Sequence, residues 1–330
     1  MTRRRRVAVM LNPRAQGVTA ARLAWFRARV AAEDLFVPDG VERAAEVVRG
    51  VAARGYDVLC TGGGDGTFTL AAAALSATGA PAPALMPLRL GTGNAVHDVC
   101  GSSRPTPEGL ARDLARAADP GEPGVPLRLL EVDGRLTQFA GVGLDADWAA
   151  DYAWLIKRHV GTGRLLPVLR GAPGYALTAI GLTIPRLVRR PFVQMKLIVR
   201  GGASRLDAGG RTVQELGDGD TLYDGPATMA SMSTVPSYSA GLAYFRHVDR
   251  IGEAFELKVA VASAYQVVRH ARRVLGGDHD PERVLDFAAR GVTVELPVAA
   301  RYHVGGDVLP AAHAFSVRTS RHTVPVLRRR

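Results

Sequence analysis

The first third of the chain alternates short apolar runs with stretches of helical periodicity. Val7 to Leu11 is apolar and stops at Asn12-Pro13, a strand running into a turn. Ala20 to Glu33 spaces Leu23, Phe26 and Val30 at helical intervals, and Val41 to Arg54 reads as another helix, ended by Gly55. Tyr56 to Thr61 predicts a second strand, Phe68 to Leu75 an Ala-rich buried helix, Ala84 to Leu90 a third strand, and Pro107 to Ala118 a further helix. Strand–turn–helix units in series predict an α/β N-terminal domain with a mainly parallel sheet. In such sheets ligands bind beyond the carboxyl ends of the strands.

The pattern changes after Asp119 to Pro126, a connection rich in proline and glycine. Strands are predicted at Leu127 to Val132, Leu136 to Val142, Phe192 to Val199, Ala227 to Ser233, Phe255 to Ala262, Val292 to Leu296 and Ala314 to Arg318. A helical insert is expected over Asp147 to Val188, broken at Gly161 to Gly163 and Gly171 to Gly174, and a helix near Ala264 to Leu275. Asp207 to Gly225, rich in Gly and Asp, reads as a loop. Two domains are therefore expected, residues 1–122 and a β-rich 123–330, with a return of the chain to the first near 310–330 left open.

Composition narrows the function classes. The 330 residues are 47% hydrophobic and 22% charged, an ordinary globular balance. The two cysteines, Cys60 and Cys100, make no metal-ligand spacing and fit a reducing cytoplasm as buried small hydrophobes. The formal net charge is +11, with arginine runs at Arg3 to Arg6 and Arg328 to Arg330. Such runs are solvated termini or are drawn to an anionic membrane; without basic–aromatic interleaving, nucleic acid is not an expected partner. The run after the first arginines is too short for a secretory signal, and no stretch of 18 uncharged apolar residues exists, so no transmembrane helix is expected. Arg158, Arg164, Arg170, Arg186, Arg189 and Arg190 flank apolar residues such as Leu165, Leu166, Val168 and Leu169. That mixture suits an interfacial surface, or equally a helix packed on its own domain.

Candidate chemistry concentrates in three loops that follow strands. Gly62-Gly63-Gly64-Asp65-Gly66-Thr67 joins a strand to a helix. Its glycines let backbone approach a polyanion, and the helix offers free N–H groups and the positive end of its dipole to a phosphate. Thr67 is expected to cap that helix and to donate to a phosphate oxygen. A carboxylate inside a phosphate cradle makes sense if Asp65 holds Mg²⁺ or accepts a proton from an attacking hydroxyl. No Gly-Lys-Ser/Thr follows, so this is not a Walker A loop. Gly91-Thr92-Gly93-Asn94 follows the next strand, a plain turn if taken alone and a second wall of one nucleotide site beside the first loop. Asn12-Pro13-Arg14 opens the third loop: Asn12 is a candidate for phosphate or ribose, Arg14 for phosphate, and a simple turn is the alternative.

Together these residues resemble the diacylglycerol kinase catalytic-domain family, which includes bacterial lipid kinases, sphingosine kinases and ceramide kinases. The resemblance rests on Asn12 to Gly17, on Gly62 to Thr67, and on Pro87 with Gly91 to Asn94, which carries one additional residue. It is specific over roughly residues 5–145 and weaker beyond, through Phe139 to Asp145 and Tyr238 to Phe255. It implies an ATP-binding N-terminal domain, a C-terminal β-sandwich that takes a lipid, and Mg²⁺-dependent transfer of the γ-phosphoryl group to a lipid hydroxyl. It also implies a cytoplasmic protein visiting the inner face of a membrane, with a homodimer left open. Asp65 takes the family's first catalytic carboxylate and metal position. Asp307, in Gly305-Gly306-Asp307, takes the position of a later Glu, with Gly305 in place of an Asp. Thr69-Leu70 replaces a family Asn-Glu, and His97 and Asp98 become local candidates, His97 more as a structural residue. The alternatives are a kinase of a soluble acceptor such as NAD and a catalytically impaired lipid- or nucleotide-binding relative.

Overall fold

The computed structural model of the chain describes residues 3–78, 82–156, 172–189, 192–237, 243–263, 266, 269 and 283–328. Arg158, Arg164, Arg170 and Arg190, the apolar residues Leu165 to Leu169, most of the helix expected at Ala264 to Leu275 and the middle of the helical insert lie outside the described residues. The chain divides into two compact units, residues 3–129 with 321–328 and residues 130–237 with 243–320 among those described.

The first unit is the α/β domain the alternation predicts. Strands β1 (Val7–Leu11), β2 (Leu35–Phe36), β3 (Val58–Gly63) and β4 (Ala84–Arg89) pair in the order β2-β1-β3-β4, all parallel. The last stretch of the chain adds a parallel neighbour to β4 through Val326 and Leu85. Helices α1 (Ala20–Arg27), α2 (Val41–Ala53), α3 (Asp65–Ser76), α4 (Ala95–Val99) and α5 (Pro107–Ala118) make the connections. Every residue of β3 is buried, which is why it reads as a continuous apolar run rather than an alternation. Thr106 caps α5 by accepting from Gly109 N at 3.1 Å, with Pro107 at the first helical position, where its missing N–H costs nothing. α1 stops at Arg27, short of the expected Glu33; Arg29 and Val30 both donate back to Phe26 O, and a short 3₁₀ turn follows. Both cysteines are buried, and burial pushes their thiols up, so neither is a reactive thiolate at neutral pH. Arg5 is not merely solvated: its guanidinium donates to the carbonyls of Asp119 and Glu122 at 2.9 and 2.8 Å.

The second unit holds the end of β5 (Gly124–Val132), whose first six residues belong to the first unit, then β6 (Arg135–Thr137), β7 (Phe139–Gly143), α6 (Leu144–Trp154), α7 (Ala172–Thr178), α8 (Ile184–Arg189), β8 (Val193–Val199), β9 (Ala203–Leu206), β10 (Thr212–Leu216), β11 (Thr221–Ala227), β12 (Met229–Ser233), β13 (Phe255–Ala260), β14 (Val284–Ala289), β15 (Gly291–Val304) and most of β16 (Asp307–Leu327). One antiparallel ladder runs β10-β9-β14-β13-β12-β7 and reaches β15 through Tyr302 to Val304. The other half of β15 pairs with β8, which pairs with β11. One apolar cluster takes side chains from both ladders, Leu197, Val199, Val292 and Val294 meeting Val142, Leu257, Val259 and Phe287. The expected loop at 207–225 instead contains β10 and most of β11. β10 is exposed along nearly its whole length, so its sequence carries no alternation of buried and solvated positions. No described helix is long and apolar enough to cross a membrane.

Candidate active site

β1, β3 and β4 end at one level because their registers pair Leu11 with Gly62 and Gly63 with Arg89. The three loops singled out in the sequence therefore leave the sheet side by side. Backbone bonds lock them together: Asn12 N donates to Gly62 O at 2.8 Å, Gly17 N to Leu90 O at 2.9 Å and Leu90 N to Gly63 O at 3.3 Å. Glycine is needed where they touch. A Cβ on Gly91 would stand 2.0 Å from the Cα of Gly64, and one on Gly17 2.6 Å from the carbonyl oxygen of Leu90.

Gly66, in the first turn of α3, is different: nothing lies within 4 Å of where its Cβ would stand. The amides of Asp65 and Gly66 open α3 without an intrahelical acceptor, at the positive end of the helix dipole, while Thr67 N and Phe68 N donate to Gly64 O at 3.0 and 3.2 Å. The residues present thus fit an anionic, phosphate-like group. For a metal the donor set is thinner. Among the described residues the one cluster of three metal-competent side chains is His247, Glu256 and Asp286 in the second unit, which does not include Asp65. Mg²⁺ at Asp65 would take this single carboxylate and complete its shell with phosphate oxygens and water, a common arrangement for that ion.

The side chains of the loops are largely committed to holding the loops. Asn12 Nδ2 donates to Thr67 Oγ1 at 3.0 Å, and Asn12 Oδ1 accepts from Arg14 N at 3.0 Å. Thr67 does not cap α3; Gly64 occupies that position without a side-chain bond, and Thr67 sits buried in the first turn as Asn12's acceptor, keeping its own O–H to donate. Arg14 reaches Asp39 at 3.1 Å, both side chains largely exposed, while Pro13 and Thr92 are exposed. Asn94 is left-handed at φ 56°, and its amide closes its own loop by accepting from Gly91 N at 3.2 Å and donating to Gly91 O at 2.7 Å. Two measurements separate these roles. Asn12→Ala should lower unfolding free energy by about 1 kcal/mol, and Arg14→Ala by less than about 1 kcal/mol, both read from urea midpoints.

Asp65 opens α3 and is buried. Its Oδ1 accepts from Val96 N at 3.2 Å, so the carboxylate faces the first turn of α4 and ties the second loop to the third strand's exit. Burial raises its pKa, while the amides of Ala95, Val96 and Asn94 pull the other way. His97 lies beneath, fully buried, with Nε2 3.0 Å from Leu88 O. Burial lowers its pKa to about 4, so it is a neutral imidazole donating to that carbonyl, a structural part. Asp98 is ion-paired with Arg89.

Asp307 stands in the second unit, exposed, at the start of β16. Val304 pairs with Asp307 across Gly305 and Gly306, whose φ values of 63° and 91° make a two-residue hairpin turn. Gly305 is where the family pattern has Asp, and the left-handed φ there favours glycine.

Sequence reasoning missed a buried polar row in this unit. Register aligns His303 on β15 with Gly141 on β7, Gly141 with Ser231 on β12, Ser231 with Lys258 on β13, and Lys258 with Asp286 on β14. Gly141 leaves room for Asp145, whose Oδ2 accepts from Ser231 Oγ at 2.6 Å and lies 3.3 Å from His303 Nε2. Lys258 Nζ lies 2.5 Å from Asp286 and 3.0 Å from Glu256, and so occupies the centre of the acidic cluster as its counter-ion. Buried charges persist only when paired like this.

Set beside known proteins, the site falls inside a recognised domain. Residues 6–121 match the diacylglycerol kinase catalytic domain. No curated protein matches the sequence. The fold of the whole chain resembles a diacylglycerol kinase from Bacillus anthracis str. Sterne, at 13% identity and a TM-score of 0.63 over 100% of this chain and 98% of the other. It also resembles a second protein of that organism, provisionally described as a diacylglycerol kinase, at 16% identity and a TM-score of 0.68 over 100% and 99%. At these identities the likeness is one of fold. The two-part architecture, parallel strands and helices followed by antiparallel strands, is shared with them. The matched domain takes its description from a kinase family.

Proposed function

We propose that the protein transfers the γ-phosphoryl group of ATP to the hydroxyl of a lipid such as diacylglycerol or a sphingoid base. The observation that carries this reading is the convergence of three glycine-bearing loops at the ends of β1, β3 and β4, with open space over Gly66. Phosphoryl transfer needs positioning and charge neutralisation more than covalent chemistry. The amides of Gly64, Asp65 and Gly66 would hold phosphate oxygens, Gly91 to Asn94 would form the facing wall, and the Asn12–Thr67 bond would fix the first loop against the wall at Gly64 to Gly66. Mg²⁺, when bound with the nucleotide, supplies charge neutralisation on the phosphates. Asp65 is the candidate to hold it and to accept the hydroxyl's proton; its raised pKa suits a group that takes up a proton. Asp307 is proposed as a second acid. A lipid acceptor is favoured by the family match over residues 6–121.

The test is incubation with γ-labelled ATP and mixed micelles of diacylglycerol, monoacylglycerol or sphingoid bases, with products separated by thin-layer chromatography. Labelled lipid is the expected result. Label appearing only in NAD would identify a soluble-acceptor kinase instead, and nucleotide binding with no labelled product from a total lipid extract would leave a binding protein.

A further inference from the structure

Arg89 closes β4, directly across from Gly63 in register and so beside the start of the Gly64 to Thr67 turn. Its neighbours Leu88 and Leu90 turn into the apolar cluster that includes Leu110 and Ala117 of α5. Alternation along the strand therefore turns Arg89 to the opposite face of the sheet. That face carries α3 and α4: the Arg89 guanidinium meets the Asp98 carboxylate on α4, and Val96 on the same short helix donates to Asp65. The pair borders the acid of the first loop closely enough that the Asp98 charge helps to raise the Asp65 pKa.

Arg89 is poorly satisfied where it stands. One terminal nitrogen donates to Asp98, but Nε is buried and has no hydrogen-bond partner among the described residues. A buried donor left unpaired raises the free energy of that position, so the side chain gains by turning toward an anion. It has room to turn, since the Arg89 and Asp98 side chains are 27% and 29% exposed. Two other arginines on the loops are placed differently. Arg22 donates to the carbonyls of Gly17 and Pro105 at 2.8 and 3.0 Å, and Arg14 stands out in solvent against Asp39. Arg89 combines partial shelter from water, where a charge acts more strongly, with an uncommitted donor.

We propose that Arg89 is a phosphate-binding cation of this site, exchanging Asp98 for a phosphate oxygen when a nucleotide settles on the glycine loops. The planar guanidinium fork matches a carboxylate and a phosphate alike, so Asp98 can hold it oriented until the phosphate arrives. A polyphosphate carries more negative charge than one carboxylate and wins the exchange. The inference rests on the phosphate site proposed over Gly66. It adds a full positive charge to the partial charges of the backbone amides there.

The test is titration calorimetry of the full chain with ATP and with adenosine. Arg89→Gln should weaken ATP binding about tenfold or more, while adenosine affinity does not follow. Asp98→Asn should tighten ATP binding about threefold, because it frees Arg89 and removes a like charge from the phosphates. Combining Arg89→Gln with Asp98→Asn strands no charge, so this double variant reports on binding even where Arg89→Gln alone does not fold. It should bind ATP as weakly as Arg89→Gln. A purely structural pair gives the opposite pattern: each single variant binds weakly and the double variant recovers. That recovery, an equal loss of adenosine, or ATP affinity unchanged in the double variant would each overturn the assignment. Wild type that bound no ATP would overturn it together with the phosphate site, whereas ATP binding indifferent to Arg89 would leave that site standing.

Discussion

Asp65→Asn should fold as well as the wild type and transfer phosphate about 10³-fold more slowly, the range lost when a positioned acid–base group is removed. The two halves of that expectation have one cause. Asn keeps an oxygen for Val96 N, so the tie between α3 and α4 survives. What it removes is ionisation in a buried place. Because burial raises the folded pKa of Asp65, the protonated carboxyl favours the fold. That contribution is fully present below the ordinary value of 3.8 and is lost as pH rises through the raised folded value. Above that raised folded value the wild type carries an ionised buried carboxylate that the variant lacks, and there its urea midpoint should be no higher than the variant's. Toward pH 3 the two midpoints should converge. A purely structural Asp65 would show the midpoint pattern with turnover intact, and that result would remove it from the chemistry.

How much of this could be read from the sequence depends on how local each feature is. The parallel sheet was legible because β1, β3 and β4 are apolar runs that each end in turn residues, and runs buried on both faces announce themselves. The glycine loops were legible because each is contiguous. The direction in which Asp65 points was not, since it depends on α4 presenting its amides from 31 residues away. The polar row of the second unit was illegible for a stronger reason. Asp145, Ser231, Lys258, Asp286 and His303 come from separate segments, and only the pairing register of five strands puts them side by side. A serine or lysine in a half-apolar run reads as a solvent-facing position until the strand across from it is known. β10 escaped for the opposite reason, being so exposed that no burial pattern marks it.

Gly91→Ala and Gly66→Ala should move stability in opposite directions. Neither glycine has a positive φ, so backbone strain plays no part and the surroundings decide. At Gly91 the added methyl would meet Gly64 Cα at 2.0 Å, Gly64 N at 2.5 Å and Gly63 C at 3.0 Å. All three are backbone atoms at the junction of β3 and α3, so no rotamer change relieves the contact and the two loops must part. A loss of about 3 kcal/mol or more follows, at the upper end for overpacking. At Gly66 the methyl meets nothing, and alanine in a helix is favoured over glycine by about 1 kcal/mol. Gly66→Ala should therefore melt higher than wild type. If that open ground is where phosphate sits, the same methyl must weaken nucleotide binding in a titration calorimeter, so the more stable protein would be the poorer binder. A Gly66→Ala protein that bound ATP as tightly as wild type would place the phosphates elsewhere, since a group cradled on the first turn of α3 has to share that space with the new methyl.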